Sequence, residues 1–237
     1  MKLQRKAGLS NSQFSSPLSI PEPPRTVILL HGIGHSRYMM ATLDYRLRRT
    51  GFKTINISYP SRKLSIAGCA EFIHQYLAEY PPHSLDFVTH SMGGLILRSY
   101  IQQFGESQIH RIVFIGTPHQ GSSFARRIKG VVGWYFGPSF TELADANYVR
   151  TLPTPKANFI NILGRNHTHI GFNPLIPGDN DFCVAVHEGE LPGASYTLFC
   201  RLPHALLPQS PWVFRQTRDF LLGVSSECRQ SISVPIQ

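Results

Sequence analysis

The chain has little charge, and least of the negative sign. Only 16% of its 237 residues are charged, and 14 Asp and Glu stand against 23 Lys and Arg, a formal net charge of +9. With 42% hydrophobic and 11% aromatic residues, enough apolar surface is available to bury that a disordered chain is excluded. No apolar run approaches the ~20 residues that span a bilayer, so no transmembrane helix is expected. The basic start, Met1-Lys2-Leu3-Gln4-Arg5-Lys6, lacks the apolar core of a secretory signal, because Asn11, Gln13, Ser15, Ser16 and Pro17 interrupt it. A soluble, cytoplasmic protein is the expectation. The four cysteines (Cys69, Cys183, Cys200, Cys228) have no CxxC or ligand spacing, so they give no sign of a metal site. A Cys183–Cys200 bridge is compatible with the sequence but cannot be read from it.

The positive charge favours anionic surfaces or substrates. The cations are nevertheless scattered: Arg46, Arg48, Arg49 and Lys53; Arg126, Arg127 and Lys129; Arg215 and Arg218. No basic stripe interleaved with aromatics accompanies them. They read as solvated faces, and no nucleic-acid partner is expected.

What is present is an alternation of strands and helices. Residues 1–24 are rich in Ser and Pro and read as a flexible lead-in, and residues 225–237 as a tail. Between them, strands are expected at Thr26 to Leu30, Lys53 to Ser58, Leu85 to Thr89, Arg111 to Ile115, Phe159 to Leu163 and Tyr196 to Cys200. Helices are expected at Met39 to Arg49, Ile66 to Tyr80 (stopped by Pro81-Pro82), Gly94 to Phe104 and Pro211 to Leu222. The pattern predicts one α/β domain over residues 25–224, a mainly parallel sheet with helices on both faces. Ligands of such sheets bind at the carboxyl ends of the strands. Residues 117–157 are too long for a simple connection and form an insertion. Its Gly130-Val131-Val132-Gly133-Trp134-Tyr135-Phe136-Gly137 segment has two readings. Trp134, Tyr135 and Phe136 line an acyl pocket or small lid, or they belong to a surface helix whose aromatics pack on the core.

Thr89-His90-Ser91-Met92-Gly93-Gly94 carries the chemistry. An apolar strand, a serine between small residues and a helix make a nucleophile elbow. The turn exposes the Ser91 hydroxyl and sets the Met92 N–H at a helix N-terminus, where it can hold an oxyanion. A serine needs a base and an orienting acid, which in this arrangement follow it in the order acid, then histidine. That order removes His31, His35, His74, His83 and His90. His110 falls just before a strand, on the face away from the serine; His187 is the reserve candidate, although it falls before the last strand. His204, between the last strand and the final helix, is the expected base. Asp179 and Asp181 both suit the acid, and spacing does not separate them. The loop after the first strand supplies the second oxyanion donor, the Ile33 N–H, with Gly32 allowing the turn. Among the loop histidines His119, His167 and His169 on the active face, His119 is the candidate substrate contact.

These strings together resemble the lipases and esterases of the α/β-hydrolase superfamily. The likeness runs from about Thr26 to Leu222 and rests on Leu29-Leu30-His31-Gly32-Ile33-Gly34, the serine elbow, Ile115-Gly116-Thr117-Pro118-His119-Gln120-Gly121-Ser122 and the Asp181 and His204 segments. The resemblance implies an α/β-hydrolase fold and hydrolysis of a carboxylic ester through an acyl-enzyme, a reaction for which no metal or organic cofactor is expected. It also favours Asp181, since the family's acid usually opens an Asp-Gly-x-Val stretch and Asp181-Phe182-Cys183-Val184 matches it. Thr89 and Phe182 stand where the family usually has glycine. An acyl ester or lipid would be the substrate, with peripheral contact to an anionic membrane surface. Acyl transfer or thioester cleavage on the same fold, and a silent member used for binding, are the competing readings.

Overall fold

The computed structural model describes residues 25–79, 84–167 and 171–224. The expected lead-in and tail, Pro81-Pro82, His83, His169 and Cys228 lie outside the described residues. Six strands form one sheet: β1 (Thr26–Leu30), β2 (Lys53–Ile57), β3 (Leu85–His90), β4 (Ile109–Ile115), β5 (Asn158–Gly164) and β6 (Tyr196–Cys200). Their spatial order is β2-β1-β3-β4-β5-β6, and every pairing is parallel. All residues of β1 and β3 are buried, which is why these strands read as continuous apolar runs rather than alternating ones. The edge strands β2 and β6 are partly exposed.

Side chains alternate across the sheet and divide the core in two. On one face Ile28, Leu30, Phe87, Phe114 and Phe159 pack beneath α2 (Ile66–Ala78) and α3 (Met92–Phe104). On the other face Val27, Leu29, Val88, Val113 and Ile160 pack with α1 (Ala41–Arg49) and α8 (Pro211–Leu221). From β1 the chain runs outward to β2, then returns to β3 on the other side of β1. The crevice at the carboxyl ends of β1 and β3 is therefore the switch point where such sheets bind ligands.

Several boundaries differ from the expected ones. A 3₁₀ turn at Arg37–Met40 precedes α1, and α3 begins directly after Ser91. β4 starts at Ile109, so His110 lies within a strand rather than before it. It remains at the amino end of the sheet, with its Nδ1 2.6 Å from Arg25 and 3.7 Å from Asp86. Cys183 and Cys200 are free thiols, not a bridge. The segment between β4 and β5 forms α4 (Ser123–Phe136), α5 (Pro138–Leu143) and α6 (Ala146–Thr151). Its two ends meet at Arg98 of α3, a side chain buried to 3% exposure. The guanidinium donates to His119 O at 3.0 Å, Pro153 O at 3.0 Å and Leu152 O. One buried cation thus ties both ends of the segment to the helix that starts at the serine.

Candidate active site

Ser91 sits between β3 and α3 with φ 55° and ψ −128°. For a residue bearing a Cβ this backbone costs about 1–3 kcal/mol, and the surrounding contacts impose it. A Cβ on Gly93 would lie 2.7 Å from His31 O and 2.8 Å from Leu30 O, so only glycine lets α3 pass the end of β1. A Cβ on Gly94 would lie 2.3 Å from Thr117 Oγ1. Thr89, by contrast, fits: it is fully buried, and its hydroxyl has no hydrogen-bond partner among the described residues. Met92 opens α3, so its N–H belongs to the first turn, where no helical carbonyl is available.

His204 begins a 3₁₀ turn after β6. Its Nδ1 donates to Asp181 Oδ2 at 2.7 Å, and its backbone N–H donates to Asp181 O at 2.8 Å. The second carboxylate oxygen of Asp181 accepts from the N–H groups of Cys183 at 3.1 Å and Val184 at 2.8 Å. Phe182 takes φ 87° to make that turn, keeping the backbone of the expected glycine at the expense of strain. Asp181 is 1% exposed. Asp179 instead faces outward, where it pairs with Arg165 at 2.8 Å and with His167. His187 lies in the short helix α7 (Val186–Gly189), away from the contacts of Asp181.

Ser91, His204 and Ile33 line one cavity of about 230 Å³. Its opposite wall is apolar, with Phe124, Ile128 and Phe136 from α4 and Phe140 and Leu143 from α5. His35, Met39, Cys183 and Ala205 also line it, and no local motif marks them as lining residues. Burial, then the Asp181 charge, push the Cys183 thiol up to about 12, so it stays protonated. A larger open groove of about 880 Å³ lies along β2, lined by charged groups such as Arg37, Arg48 and Lys53, and contains none of these residues.

Two expectations for substrate contacts need correction. Trp134 is 83% exposed and Tyr135 53% exposed, and neither lines the cavity. Successive helical residues are rotated by about 100°, so Trp134 and Phe136 point to nearly opposite sides of α4. Ile128, Val132 and Phe136, spaced by four, share the buried side; that spacing was the signal available in the sequence. Tyr135 instead lies under the Arg62 guanidinium, 4.8 Å from its ring centre. His119 is 1% exposed and packs edge-on against Phe114, with ring centres 4.6 Å apart, so it lies behind the cavity wall.

Buried histidines surround the serine. Burial holds the His31 imidazole down to about 4, and burial also pushes His90 and His119 well below the usual value. His90 donates from Nε2 to His204 O at 3.1 Å, with the two rings 4.7 Å apart. Below pH 6.5 the unfolded chain binds protons that these folded rings refuse, so stability falls as pH falls; for His31 the loss is complete near pH 4. Each ring contributes a slope of about 1.4 kcal/mol per pH unit. The melting temperature is therefore expected to drop as the pH is lowered from 7 towards 4.5. Thermal melts from pH 7 down to 4.5 would check this, and a constant melting temperature would refute it.

Residues 25–138 match the family model described as the alpha/beta hydrolase fold. Together with the sheet order and the serine turn, this match shows the α/β-hydrolase fold. Among solved structures it is similar to the mature form of the Bacillus licheniformis lipase BlEst2, with a TM-score of 0.61 and 16% identity over 87% of this chain and 94% of that one. Against the propeptide form the TM-score is 0.67 at 18% identity, and the chain covers 52% of that longer protein, about half its length. An esterase from Thermogutta terrifontis aligns with a TM-score of 0.59 and 12% identity over 85% of this chain and 91% of its own. At these identities the likeness is one of fold. No curated protein matches the chain.

Proposed function

We propose that this chain is a serine hydrolase that cleaves carboxylic esters with short acyl chains. The observation that carries the reading is the 2.7 Å bond from His204 to buried Asp181, with His204 lining the same cavity as a serine strained at positive φ. Ser91 Oγ attacks the acyl carbonyl while His204 Nε2 takes its proton. Asp181 holds the ring in the tautomer that leaves Nε2 free to do so. The Ile33 and Met92 N–H groups hold the oxyanion. His204 then gives the proton to the departing alcohol, and water repeats the sequence on the acyl-enzyme. The apolar wall of α4 and α5 suits the acyl chain, and the side with His35, Met39 and Ala205 suits the alcohol.

Cavity size supports the short chain. About 230 Å³ is less than the roughly 300–1,000 Å³ of drug-sized ligand sites. The outer face of α4, with exposed Arg126, Arg127, Lys129, Val131 and Trp134, suits contact with an anionic lipid surface. A panel of acyl esters is expected to show butanoate preferred over dodecanoate. Phe136→Ala should move the optimum to longer chains without changing sedimentation with phosphatidylserine vesicles. Trp134→Ala should do the reverse, weakening sedimentation and leaving the chain-length profile intact. No turnover of any ester by the folded protein would sink the reading, and a dodecanoate optimum would sink the short-chain assignment.

A further inference from the structure

The loop after β2, Tyr59-Pro60-Ser61-Arg62, lies beyond the cavity lining, yet its hydrogen bonds converge on the loop that carries Ile33. Tyr59 is 5% exposed, Ser61 3%, and His31 and Ser139 are fully buried. The Tyr59 hydroxyl donates to His31 O. Its ring stacks on the His31 imidazole at 4.0 Å and 5° between planes. The Tyr59 N–H points to His31 Nε2 at 3.4 Å, which leaves the ring proton on Nδ1, and that proton is donated to Gly32 O at 2.7 Å. Gly32 O and the Ile33 N–H belong to one peptide unit. In a planar trans peptide the two groups point in opposite directions, so holding the carbonyl aims the N–H. One residue further on, the Gly34 N–H donates to Ser61 Oγ at 3.1 Å.

The same loop is the seat of the α4–α6 segment. Ser139 of α5 donates to Ser61 O. Gly137, at φ 79°, is pressed so closely against the loop that a Cβ there would fall 1.8 Å from Arg62 O. Arg62 in turn covers Tyr135 of α4. A continuous set of contacts therefore runs from α5 through Ser61 to Gly34, and from Tyr59 through His31 to the Gly32–Ile33 peptide.

We infer that Tyr59 and Ser61 are positioning residues for the Ile33 oxyanion donor, and that Ser61 links the seating of α5 to it. The inference rests on the ester-hydrolase reading. Neither side chain lines the cavity, so their removal should alter the aim of the donor and leave ground-state binding intact. A misaimed donor forfeits part of the roughly 100- to 1,000-fold that one oxyanion contact contributes. The expected result for Ser61→Ala is a fall of about 10- to 100-fold in kcat with KM unchanged. Affinity for an alkyl boronic acid, whose tetrahedral adduct with the serine places an oxygen where the oxyanion forms, should fall by the same factor. Tyr59→Phe keeps the ring stack and removes only the hydroxyl, and it provides the same reading should Ser61→Ala fail to fold. If Ser139 acts through Ser61, adding Ser139→Ala to Ser61→Ala should slow the enzyme no further than Ser61→Ala alone. Folded variants with wild-type kcat and boronate affinity would overturn the positioning role, and multiplying effects would overturn the link to α5. Absence of ester turnover and of boronate binding in the wild-type chain would instead count against the hydrolase reading itself.

Discussion

Ser91→Ala is expected to lower kcat on a short acyl ester by about 10⁶-fold, leaving only the residual rate that oxyanion donors and binding provide. Base, acid and cavity all remain in that variant, so the loss measures the nucleophile. The stability of the variants should move the other way. Ser91 is held at φ 55° because Gly93 and Gly94 bring α3 against β1 and Thr117, and alanine inherits the same strain. Ser91→Gly removes it, since glycine adopts positive φ without steric cost. The glycine variant should therefore be inactive yet melt at a higher temperature than Ser91→Ala, by a free-energy margin of about 1 kcal/mol. Rates close to wild type in either variant would show that the hydrolysis does not depend on this serine.

The second large effect separates two aspartates two residues apart. Asp181→Asn should reduce kcat by about 10⁴-fold. An amide can still accept from the Cys183 and Val184 N–H groups, so the loop is expected to survive. What it removes is the negative charge facing His204 Nδ1 at 2.7 Å, and with it the stabilisation of the imidazolium that forms when Ser91 loses its proton. Asp179→Asn breaks a surface pair with Arg165, whose side chain is 48% exposed, and pairs of that kind contribute little. Its rate should stay within a few-fold of wild type. Equal losses in the two variants, measured as kcat at saturating ester, would refute the assignment of the acid.

Much of the fold was legible in the sequence because its signals are local. The buried runs of β1 and β3, the serine between Thr89 and Gly93, and the glycines that let strand and helix pass are all constraints on contiguous backbone. The alternation of elements implied the parallel sheet, and the order serine, aspartate, histidine singled out His204 without any distance. Insertions and pocket walls behave differently, since a helix built from Phe124 to Phe136 presents several faces. Packing on Phe140 and Gly34 turned Phe136 inward and left Trp134 in solvent. His119 reads as an active-face loop residue but is covered by Phe114 and tied down through its own carbonyl to Arg98.

By itself the sequence determined the class of fold and pointed to Ser91 and His204 as candidates, the first from the backbone conformation that a few adjacent residues permit and the second from its order along the chain. Spacing could not choose between Asp179 and Asp181; the resemblance to lipases and esterases favoured the second. Only the tertiary structure showed which one meets His204, that Phe182 holds a glycine's backbone, and that Tyr59 and Ser61 reach the Ile33 loop. Those relations join residues separated by between about twenty and eighty positions along the chain. They depend on which side chains the packed core turns toward one another, a property that no short stretch of sequence contains.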